Sequence, residues 1–211
     1  MTTYFSAKEL LSPPTERAAF SDRQAYVCAE LSKLAYFKFE GGHTLDQALA
    51  IAKDILGNDE RLILLEQQLR VVLSSAPSTA AEGQAALGRI LKEVEFDLVK
   101  TFTVEGTQAF FCTRKVVLES GTPKTLAFLV FRGTEPKDFR DIKSDVRAAL
   151  KEYKIDDEVI EFHSGYLDAF ELVRTDIAGA LKGTSFDQLF ITGHSLGGAL
   201  AIVATRILAS E

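Results

Sequence analysis

An α/β fold preceded by a mainly helical N-terminal region is what these 211 residues predict, on three observations. The first 95 residues carry apolar side chains at helical spacing, broken by Pro and Gly. From Phe96 onward, short apolar runs alternate with turn signals, and one of them, Thr125 to Phe131, is apolar almost throughout. The last third then reads strand, helix, strand, helix. Such an order with buried strands calls for parallel pairing with helices packed on the sheet.

Residues 1–20 read as irregular, because Pro13-Pro14 stops any early helix. Ser21-Asp22-Arg23-Gln24 has the form of a capping box and opens a helix to about Tyr36, with Val27, Leu31, Leu34 and Ala35 on one face. Gly41-Gly42 interrupts. Thr44-Leu45-Asp46-Gln47 starts a second helix, a third runs from about Asp59 to Ser74, and a fourth from about Thr79 to Glu93. No chemistry stands out in this region.

Phe96–Thr103 and Gln108–Leu118 are expected as strands joined at Glu105-Gly106, followed by a turn at Ser120-Gly121-Thr122-Pro123 and the apolar strand ending at Phe131. A charged segment fills residues 135–158. Ser164 is placed to cap a helix in which Tyr166, Phe170, Val173, Ile177 and Leu181 recur, ending at Gly183. A last strand, Gln188 to Thr192, leads into a helix whose Leu200, Val203, Ala204 and Ile207 share a face.

Between that strand and helix lies Gly193-His194-Ser195-Leu196-Gly197. With 14 Gly and 13 Ser in 211 residues, such a pentad arises by chance about 0.06 times, so its strand–turn–helix setting carries the weight. In that setting G-x-S-x-G is a nucleophile elbow, and Ser195 is the expected nucleophile for acyl transfer. The Leu196 N–H, at a helix N-terminus, suits the oxyanion that develops. A second donor should come from a neighbouring loop. Phe131-Arg132-Gly133-Thr134 fits, with Thr134 offering both its N–H and its hydroxyl.

Composition bounds the rest. A net charge of −6 and a pI near 5.2 argue against nucleic acid as a partner. No apolar run is long enough to span a bilayer. No signal peptide is visible, so the expected localisation is cytoplasmic, or outside the cell by a route without such a signal. Cys28 and Cys112 lack metal-ligand spacing and read as buried reduced thiols, with a disulfide as the alternative. No metal and no cofactor are expected.

Val130-Phe131-Arg132-Gly133-Thr134, Phe162-His163-Ser164-Gly165-Tyr166 and Gly193-His194-Ser195-Leu196-Gly197-Gly198-Ala199-Leu200 occur in an order and spacing that resemble the class 3 lipase family. The resemblance covers about residues 97–211, and residues 1–95 resemble the helical leader of some bacterial members. It implies a partial α/β-hydrolase sheet with Ser195 as nucleophile and an oxyanion hole of Thr134 and Leu196. It also implies a lipid or ester substrate: a triacylglycerol lipase, phospholipase or esterase. Asp138 to Val146 resembles the stretch where such lipases carry a lid. A solvated connector is the other reading of that segment, since charges outnumber Phe139, Ile142 and Val146.

One departure matters. A triad needs a base and an acid after the nucleophile in this fold, yet neither His nor Asp follows Ser195 here. The three histidines are His43 in a leader loop, His163 in a motif where the family keeps a structural histidine, and His194 on the elbow itself. The expectation is therefore that acid and base lie on a remaining C-terminal polypeptide. The 211-residue chain alone would then be inactive and its nucleophile strand would form an open sheet edge. The alternative is a non-catalytic pseudo-lipase module that binds lipid or a partner protein.

Overall fold

The computed structural model describes residues 4–11, 21–37, 79–118, 120–133, 149–155 and 157–210. The expected helices at 44–56 and 59–74 lie outside these residues, as does most of the charged segment. The chain divides into two compact units, one of residues 1–36 and 91–211 and the other of residues 37–90. The first helix thus shares a unit with the sheet.

Within the second unit and the junction after it, helix α2 (Ala80–Lys92) opens on a reciprocal cap. Thr79 Oγ1 accepts from the Glu82 N–H at 3.2 Å, and Glu82 Oε2 accepts from the Thr79 N–H at 3.3 Å.

In the first unit, a short 3-10 turn (Lys8–Leu11) precedes helix α1 (Asp22–Leu34). The Ser21 hydroxyl caps α1 by accepting from the Gln24 N–H at 3.3 Å. All four residues of its expected inner face, Val27, Leu31, Leu34 and Ala35, are buried. The sheet that α1 covers has the order β1-β2-β3-β6. Strands β1 (Phe96–Val104), β2 (Thr107–Val117) and β3 (Pro123–Phe131) run antiparallel in succession. Glu105 and Gly106 both have positive φ, 45° and 85°, the backbone that a two-residue hairpin turn needs.

Strand β6 (Gln188–Gly193) lies parallel to β3, from Leu126 opposite Gln188 to Phe131 opposite Gly193. Asp187 pins this register: its carboxylate accepts from the Thr125 N–H at 2.7 Å and pairs with Lys124 at 3.2 Å, and its own N–H reaches Thr125 O at 2.8 Å. Those two donors, the Thr125 amide first, hold the Asp187 carboxyl below its usual range.

The sheet is covered on both faces, in keeping with the unbroken buried apolar run of β3 from Leu126 to Phe131. Ala127, Leu129 and Phe131 face helices α3 (Ser164–Lys182) and α4 (Leu196–Leu208), joining Phe170, Val173, Ile177, Leu200, Val203, Ala204 and Ile207 in one core. Phe128 stacks on Phe190 with ring centroids 5.0 Å apart, on the side that α1 covers. The architecture is a mixed, partial α/β-hydrolase sheet, as expected from the sequence.

Two local expectations need correction. Ser164 does not cap α3: it is the first helical residue, and the N-cap is His163, which makes no side-chain cap hydrogen bond. The end of the charged segment also forms structure. Strand β4 (Leu150–Ile155) pairs antiparallel with β5 (Glu158–His163) in a separate two-stranded ribbon. Four of its apolar side chains, Tyr153, Ile155, Ile160 and Phe162, join the core beside α3, while Leu150 and Val159 are exposed.

Candidate active site

Ser195 connects β6 to α4 with φ 56° and ψ −124°, a region that costs an L-residue about 1–3 kcal/mol. Serine at a helix N-cap ordinarily spends its hydroxyl on the first turn. Here it makes no cap hydrogen bond, and the residue is exposed. Among the described residues its hydroxyl is left unengaged, at the tip of the turn.

The glycines explain how the chain bends so sharply. A Cβ on Gly193 would collide with the Gly197 carbonyl, and one on Gly197 would collide with Phe131 O and come within 2.8 Å of Arg132 C. The elbow therefore crosses the end of β3 with backbone against backbone. Leu196 begins the 13-residue α4. Gly197 N–H returns to His194 O at 3.0 Å and Gly198 N–H to Ser195 O at 2.9 Å, whereas the Leu196 N–H meets no acceptor among the described residues. A free amide at a helix N-terminus, next to an exposed hydroxyl, is a donor available to an anion.

The loop leaving β3 comes to the same place. A Cβ on Gly133 would sit 3.4 Å from Ser195 Cβ and would clash with His194 O. Thr134, the expected second donor, lies outside the described residues. So the structure brings Ser195 and Leu196 together and sets the start of the Thr134 loop against them.

The described histidines are turned to other partners. His194 Nδ1 is 3.0 Å from the Tyr36 hydroxyl, and the two rings meet edge to face with centroids 5.8 Å apart. His163 packs on Tyr166 at 4.7 Å between centroids. His43 lies outside the described residues.

Sequence reasoning missed the part α1 plays here. The Ser32 hydroxyl donates to Cys28 O at 2.7 Å and shares a 3.0 Å hydrogen bond with Thr192 Oγ1, on the residue immediately before the elbow. Burial pushes the Cys28 thiol up to about 11, against a smaller opposing effect of its hydrogen bond with Thr192. Cys112 is fully buried on β2, and burial raises its thiol further. Both cysteines are free thiols. No signal in the sequence links Tyr36 to a residue 158 positions away. No group of three or more metal-ligating side chains converges among the described residues.

A mixed sheet with a strained serine between its parallel strand and the next helix defines the α/β-hydrolase class. Residues 128–211 match the family described as Lipase (class 3), and all three ordered motifs fall inside that span. The match is to this part of the chain, 84 of its 211 residues.

Lipases of Rhizopus niveus and Rhizopus oryzae are each 35% identical to it over 96 residues. The alignment takes in 44% of this chain and 24% of each relative, so the match spans about a quarter of the length of those lipases. Two solved structures are similar. One, described as a triacylglycerol lipase whose catalytic centre is formed by a serine protease triad, aligns over 57% of this chain and 44% of its own, with a TM-score of 0.42 and 22% identity. The other, M37 lipase, aligns over 91% of this chain and 55% of its own, with a TM-score of 0.44 and 12% identity.

Proposed function

We propose that this protein is a carboxylic ester hydrolase acting on lipid-type esters through Ser195. The observation that carries the reading is the backbone of Ser195 itself. A positive-φ serine is held against its preference with its hydroxyl unspent, beside an unengaged helix-start amide. The lipases among its relatives support the substrate class.

In this reading Ser195 Oγ attacks the acyl carbonyl while its proton passes to a histidine base. The tetrahedral oxyanion takes hydrogen bonds from the Leu196 N–H and from Thr134. The imidazolium returns the proton to the departing alkoxide, and water then releases the acid by the same route. Neither described histidine serves as that base in this reading. In support, the His194 ring is held by Tyr36 and the His163 ring packs on Tyr166.

The test is turnover of a short-chain p-nitrophenyl ester by the full-length protein. Ser195→Ala should abolish it, and Thr134→Val should lower kcat by roughly 10²–10³ if that hydroxyl is a main donor. Hydrolysis that survives Ser195→Ala would reject the nucleophile. Lipid or protein binding with no turnover at all would instead favour the non-catalytic module.

A further inference from the structure

We propose that Tyr36 is a positioning residue that fixes the gap between the Ser195 turn and Gly133 at the end of β3, and with it the placing of Ser195 and the Leu196 N–H. This deepens the ester-hydrolase reading and rests on it. The β3–β6 ladder ends at the pair Phe131 and Gly193, just short of both arms of the site. Beyond that pair, one phenol touches each arm.

On the elbow side, the Tyr36 hydroxyl is 3.0 Å from His194 Nδ1, on the residue before the nucleophile. On the loop side it backs directly onto Gly133, where an added Cβ would lie 2.5 Å from it. The Arg132 guanidinium sits over the same ring at 5.9 Å from its centroid. Arg132 is in turn tied to β2, its N–H to Gln108 O at 2.9 Å and its guanidinium to Gln108 Oε1 at 2.5 Å.

The support beneath Tyr36 is rigid. Leu31, Leu34 and Ala35 are fully buried, and Ser32 is bonded to Thr192 on β6. A side chain held this way sets a distance rather than following one. Because the oxyanion forms only as the reaction proceeds, loosening the gap should weaken transition-state binding and leave ground-state binding largely intact.

The experiment compares Tyr36→Phe, His194→Phe and the double variant of the full-length protein on p-nitrophenyl butyrate, with Ser195→Ala as blank. Tyr36→Phe keeps the ring on Arg132 and removes the hydroxyl. Its kcat should fall roughly 5- to 30-fold with KM within about twofold, a smaller loss than the hundredfold of a misplaced catalytic group. His194→Phe should show the same split, and adding Tyr36→Phe to it should cost less than about twofold more. Val27→Ala, on the same helix but remote from the elbow, should lower thermal stability without changing kcat.

If Tyr36→Phe does not fold, His194→Phe reads the same hydrogen bond from its other end. Ser195-dependent turnover with kcat unchanged in both single variants, or losses that appear equally in Val27→Ala, would overturn the role of Tyr36 alone. Turnover that ignores Ser195→Ala would overturn the hydrolase reading, and the positioning role with it.

Discussion

Strain at Ser195 has a measurable consequence for stability. Its φ of 56° and ψ of −124° suit glycine alone, and alanine there inherits the strain. Ser195→Gly should therefore unfold at higher denaturant than Ser195→Ala, by about 1 kcal/mol after glycine's greater unfolded entropy is subtracted. Equal midpoints would mean that the turn is unstrained. The two thiols make a second residue-level prediction. Burial raises both above the ordinary 9.0, Cys28 to about 11, so the folded state keeps protons that the unfolded state releases. Their contribution is complete below pH 9 and is lost as pH rises from 9 through 11. Chemical denaturation across pH 8–11 should show falling stability, and Cys28→Ala should flatten the slope. The sharp turn at Ser195 and the helix start at Leu196 were legible in sequence because the pentad sets its own geometry. Tyr36 was not, because its partners are brought to it by tertiary packing.

At the scale of elements, helical spacing identified α1 and its buried face but not what that face covers. Periodicity reports that a stripe is buried, and only the fold decides that Ser32 meets Thr192 and Tyr36 meets His194. Leu31 is fully buried in that docking face, so Leu31→Ala should cost about 2–5 kcal/mol. A loss under 1 kcal/mol in urea denaturation would show α1 to be a loosely held appendage. The β4–β5 ribbon escaped notice for a different reason. Each strand contributes two apolar side chains to the core, Tyr153 and Ile155 from β4, Ile160 and Phe162 from β5. Lys151, Glu152, Lys154, Glu158 and Glu161 hide that alternation. The hairpin at Glu105-Gly106 was legible because two consecutive turn residues, with φ of 45° and 85°, leave the chain few alternatives.

Over the whole molecule, β6 pairs with β3 on one side and with no described strand on the other. Ile202, on the flank of α4 beside it, is 71% exposed. Such an edge is a template for further pairing. The 211-residue chain should associate with itself as its concentration rises in sedimentation velocity runs, and Ile202→Lys should reduce that association. A chain that stays monomeric to high concentration would show the edge to be protected. Burial of β3 on both faces also follows from its nearly continuous apolar run, so the layered arrangement is readable in the sequence. The central claim remains chemical: one serine, held by a turn it does not favour, carries an acyl group. Acid-quenching the full-length protein during p-nitrophenyl butyrate turnover, then mapping peptides by mass spectrometry, tests this most directly. A butyryl adduct confined to Ser195 is the expected result. Continued turnover with the acyl group on another residue, or on none, would contradict it.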